Sequence, residues 1–111
     1  MAYNTPCEFL ETPPFTRRIR ELISDNEYRI LQLALGLRPD QGVIIPGTGG
    51  IRKIRWSQEG RGKRGGIRII YYWHKPTHRI YMLIAYPKSE QDDLTADQAR
   101  ILSRIVKEEF R

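Results

Sequence analysis

The stretch I-R-K-I-R-W-S-Q-E-G-R-G-K-R-G-G-I-R-I-I-Y-Y-W, residues 51–73, decides how this chain is to be read. Two runs rich in β-branched and aromatic residues, 51–56 and 67–73, flank a segment of glycines and cations, the pattern of two strands joined by a loop. Side chains alternate across a strand, so residues two apart share a face. Ile67, Ile69, Tyr71 and Trp73 therefore share one face, and Arg68, Ile70 and Tyr72 the other. In the first run, Ile54 and Trp56 oppose Lys53 and Arg55. Helices must cover the more apolar side. This predicts Ile54, Trp56, Ile69, Tyr71 and Trp73 in the core, with Lys53, Arg55, Arg68 and Tyr72 left together on an open face. Like charges opposed across strands cost up to about 1 kcal/mol per pair, so a purely structural sheet has reason to avoid the arrangement.

Working outward, 7–10 reads as a short strand ended by Thr12-Pro13-Pro14. Phe15, Ile19, Leu22 and Ile23 then form one helical stripe. Ser24-Asp25-Asn26-Glu27 is a capping box opening a second helix with Tyr28, Ile30, Leu31, Ala34, Leu35 and Leu37, stopped at Pro39. A third long strand covers 79–86. Thr95-Ala96-Asp97-Gln98 is a second capping box, and its helix carries Leu102, Ile105, Val106 and Phe110. The predicted order is β-α-α-β-β-β-α. That is an α+β fold in a single domain, 1–111, with a mainly antiparallel sheet and helices packed on one face.

Charge points to a polyanion. Between residues 51 and 68, seven cations (Arg52, Lys53, Arg55, Arg61, Lys63, Arg64 and Arg68) stand against one anion, Glu59. The local charge of +6 equals that of the whole chain, so the field is focused and nucleic acid is the simplest partner. Gly60-Arg61-Gly62-Lys63-Arg64-Gly65 spells a dinucleotide fingerprint, but a strand follows where that motif needs a helix. The glycines are read instead as a mobile hairpin loop that lets Arg61, Lys63 and Arg64 follow a phosphate backbone. Tyr72 and Tyr86 are candidates for base stacking. His74 and His78 flank a turn and read as solvated.

Composition bounds the rest. With 40% apolar and 29% charged residues the chain should fold. No apolar run approaches a membrane span, the N-terminus lacks a signal pattern, and Cys7 is the lone cysteine, so a cytoplasmic protein is expected. One cysteine and two histidines offer no metal-ligand constellation, and neither metal nor cofactor is expected.

At 47–55, 60–73 and 79–94 the chain resembles a RelE-superfamily toxin of the HigB type, the toxin half of a bacterial type II toxin–antitoxin pair. The resemblance implies a microbial-ribonuclease-like fold, metal-independent cleavage of mRNA in the ribosomal A site, and silencing by a cognate antitoxin. Carried over by motif, the K-x-[KR] pair falls on Lys53 and Arg55, the arginine opening the next strand on Arg68, and the cation after the last strand on Lys88. A further family arginine falls at Ser89 and the family tyrosine at Leu94. Arg64 and Tyr86 are the candidate substitutes.

Cleavage of RNA by its own 2′-OH needs a base, charge stabilisation and a proton for the leaving 5′ oxygen. Arginine stays protonated and cannot be the base. Crowding by cations should lower the pKa of a lysine, which makes Lys53 the candidate base or, with Lys88, the proton donor. Arg55 and Arg68 would clamp the phosphate. The alternatives are a non-catalytic RNA- or ribosome-binding protein and a ParE-like gyrase-inhibiting toxin on the same fold.

Overall fold

The computed structural model describes residues 7–57 and 66–110. Its elements are β1 (Glu8–Glu11), α1 (Pro13–Leu22), α2 (Asp25–Leu37), β2 (Val43–Ile44), β3 (Ile51–Trp56), β4 (Ile67–His74), β5 (Arg79–Pro87) and α3 (Ala96–Glu109). The five strands form one sheet in the order β1-β5-β4-β3-β2. Only β1 and β5 run parallel; the other three pairings are antiparallel. The α+β class and the mainly antiparallel sheet are as expected, with the two-residue edge strand β2 added.

Each helix begins where its cap dictates. The Thr12 hydroxyl accepts from the Phe15 N–H, and Pro13 supplies a first helical residue with no N–H to leave orphaned. Ser24 with Glu27, and Thr95 with Gln98, close both predicted capping boxes in the reciprocal sense.

The placement of α3 differs from expectation. The hairpin of α1 and α2 covers the face bearing Ile54, Ile67, Ile69 and Tyr71, through Phe15, Ile19, Leu31 and Leu35. On the other face, Leu102 and Val106 of α3 pack on Ile51, Ile70 and Leu83. The helices therefore cover both faces. The physical reason is visible in the strands: Ile51 and Ile70 share the parity of Lys53, Arg55 and Arg68, and apolar residues of that size need burial as much as those opposite.

A bulge in β5 has a consequence for the site. Tyr71 pairs with Met82 and Ile70 with Ile84, so Leu83 is the extra residue. The Thr12 hydroxyl that caps α1 donates to the Leu83 carbonyl at 2.8 Å. Before the bulge, Ile80 and Met82 face the hairpin; after it, Ala85 does, and Tyr86 faces α3. Close packing also explains Gly42. Its N–H donates to the Tyr71 hydroxyl at 2.9 Å, and a Cβ there would lie 2.7 Å from that oxygen.

Candidate active site

The strand register builds a row across three strands. Arg55 lies opposite Arg68 on β4, and Arg68 lies opposite Tyr86 on β5. Lys53 shares this face two residues along β3, as the alternation requires. Lys88 follows β5 and is exposed; its backbone N–H donates to the Gly66 carbonyl at 3.0 Å, which sets it beside the start of β4. Thus Lys53, Arg55, Arg68 and Tyr86 come together, with Lys88 near the end of the row.

Arg68 does not stand on an open face. It is 4% exposed, hemmed in by the α3 side of the core and by the segment after β5, and it reaches Asp92 at 3.3 Å. Its Nε and the hydroxyl of Tyr86, itself 2% exposed, have no hydrogen-bond partner among the described residues. Buried polar groups in native proteins are nearly always paired, so two orphans on one cross-strand pair make this row a candidate site. Burial pushes the Tyr86 phenol up to about 12, with the Asp93 carboxylate adding and the Arg68 cation opposing. Near neutral pH Tyr86 is therefore a donor, not a base.

Lys53 is not crowded by cations alone, because its ammonium is ion-paired with Asp93. The hydrogen bond and charge of Lys53 hold the Asp93 carboxyl below its ordinary value. These two aspartates escaped the sequence reading. The signal was present in Q-D-D-L, a pair of adjacent acids just beyond the strand that carries Tyr86.

The remaining candidates scatter. Arg52 has the opposite parity to Lys53, and its guanidinium donates to the carbonyls of Asp40 and Gly42 at 2.9 and 2.8 Å, tying down the α2–β2 connection. Tyr72 lies on the predicted face, but its ring stacks on Phe110 at 5.0 Å, so that side is not free for a base. Arg61, Lys63 and Arg64 lie outside the described residues. Cys7 is buried, and burial raises its thiol pKa, which suits packing rather than nucleophilic attack. No group of three or more His, Cys, Asp or Glu among the described residues is placed to hold a metal ion, and no described helix is long and apolar enough to cross a membrane.

A small α+β protein with a cationic row set into its sheet and helices on both sides has the features of a bacterial toxin fold. The family model described as "RelE toxin of RelE / RelB toxin-antitoxin system" matches residues 14–111, and the chain belongs to that family. A solved structure of an E. coli RelE toxin mutant in the free state is similar in fold, with a TM-score of 0.63 and 12% sequence identity. The match covers 87% of this chain and 97% of the E. coli toxin. Membership implies a cognate antitoxin. It stands at the level of RelE, and the HigB type is a finer expectation than it reaches.

Proposed function

We propose that this toxin is a ribosome-dependent mRNA endonuclease that cuts through the RNA 2′-OH without a metal. The observation that carries the reading is the row Arg55–Arg68–Tyr86, with a buried guanidinium nitrogen and a buried phenol that have no hydrogen-bond partner among the described residues. In cleavage the 2′ oxygen forms a bond to phosphorus and loses its proton. The bond from phosphorus to the 5′ oxygen breaks, and that oxygen gains a proton. Arg55 and Arg68 are suited to hold the extra negative charge of the phosphorane, since a guanidinium fork matches two phosphate oxygens at once. Tyr86, still protonated, donates to the phosphate or to the leaving oxygen. Lys53 serves as base only as the neutral amine, after it has left Asp93 and given up a proton to solvent, and then takes the 2′-OH proton; as the ammonium it shares proton delivery to the 5′ oxygen with Lys88. Intrinsic cleavage is weak because nothing in this row aligns the 2′-OH with phosphorus. The ribosome supplies that alignment by presenting the mRNA in a fixed geometry.

The test is to map mRNA 5′ ends after brief expression of the wild type and of Lys53→Ala. New ends on translated messages, absent with Lys53→Ala at an unchanged melting temperature, are expected. Bound but intact mRNA would make the protein a binding module, and relaxed plasmid DNA in a supercoiling assay would make it a gyrase inhibitor. Co-expression of the antitoxin should restore growth.

A further inference from the structure

Among the described residues, three ion pairs hold the segment after β5 in place. Glu90 pairs with Arg18 of α1, Asp92 with Arg68, and Asp93 with Lys53. The first ties the segment to the helix hairpin. The other two set neighbouring carboxylates on two cations of the candidate site.

On the anion side these pairs are open to water. The Asp92 and Asp93 side chains are 71% and 67% exposed, against 4% for Arg68 and 22% for Lys53, so each carboxylate stays largely solvated and gives up little on leaving its cation. Chemically, a carboxylate on a lysine or arginine uses the same donors that a phosphate oxygen would use. Asp92 meets the Nη2 end of Arg68, while the Nε of the same guanidinium is buried with no partner among the described residues. The grip is thus filled on one side by the chain itself and unfilled on the other.

Resting on the RNA-cleaving reading, we propose that Asp92 and Asp93 are a built-in competitor for the RNA backbone. Two adjacent carboxylates stand where two phosphates of the substrate sit, and RNA reaches Arg68 and Lys53 only by displacing both. A small anion can displace one at a time and leaves the other pair intact. A strand presented with successive phosphates in register displaces both at once. The contact therefore sets a threshold that favours RNA already held in position over RNA free in solution.

The experiment compares the full-length wild type, D92N/D93N and K53A for binding to a short single-stranded RNA that 2′-O-methyl groups make uncuttable, with thermal melts run alongside. Removing a competing exposed carboxylate should improve binding by up to about fivefold, so the double variant is expected to bind roughly tenfold tighter and K53A more weakly. If the double variant binds no tighter than wild type while K53A loses binding, the carboxylates position the cations instead of competing, and the proposal is overturned with the RNA reading intact. If wild type and K53A bind equally, the RNA reading fails and takes the proposal with it. Should the double variant melt lower, D92N alone supports the proposal by binding about threefold tighter and overturns it by binding no tighter.

Discussion

Arg68 shows what the site costs the fold. Its guanidinium is buried, faces Arg55 across the strand pair and, among the described residues, leaves Nε without a partner and reaches only the exposed Asp92. An unsatisfied buried polar group costs about 1–3 kcal/mol, and an opposed like charge adds up to about 1 kcal/mol. An apolar chain of similar length should relieve both penalties. Arg68→Met is expected to abolish cleavage while raising stability by about 1 kcal/mol, a gain in melting temperature of about 5 °C. Differential scanning calorimetry checks it, and a variant that melts lower would assign Arg68 to the fold. Arg68→Ala is the poorer probe, because it opens a cavity as well as removing a charge.

Among the elements, α3 is held to the sheet by Leu102 and Val106 along its length and by its C-terminal ring. Thr95 and Gln98 close its N-terminal box, and Phe110 at its C-terminus meets the rings of Tyr72, His74 and Tyr81 with centroids 4.5–5.0 Å apart. Phe110→Ala should therefore loosen α3 from the sheet and cost about 2 kcal/mol in urea unfolding, less than a fully buried phenylalanine would. Cleavage measured well below the melting point should be unchanged, since Phe110 does not touch the cationic row. The starts of all three helices were legible in the sequence because they depend on neighbours three or four residues away, whereas the stripes were drawn too wide: Ile30, Leu37 and Ile105 are exposed. The side on which α3 packs was not legible. Ile51 and Ile70 hinted at a second core, but the alternation alone ranks one face above the other and cannot say that both need a cover. The bulge at Leu83 was equally hidden, because a run of apolar residues carries no mark of which one lacks a partner. Without it the parity of Tyr86, and so its place beside Arg68, could not be derived from spacing.

Across the whole molecule, the +6 charge is concentrated in residues 51–68, with Lys53, Arg55 and Arg68 on one face of the sheet, but it is partly answered from within by Asp92 and Asp93. The cation cluster was readable from composition, whereas its internal counterions required the chain to fold back from residue 93 to residue 53. Binding to single-stranded RNA should still weaken with salt. With about four phosphate contacts the slope of log K against log salt is expected near −3, and a titration giving a slope near zero would leave the cluster without a role. The bulge in β5 also has a meaning for the chain as an inherited object. It works like a shift of reading frame: one surplus residue changes which side of the sheet every later side chain of the strand faces. A single codon gained or lost between Ile84 and Tyr86 would turn the phenol into the opposite core. On the proposed reading, the gene would lose its cleaving activity in one in-frame step that alters no charged residue at all.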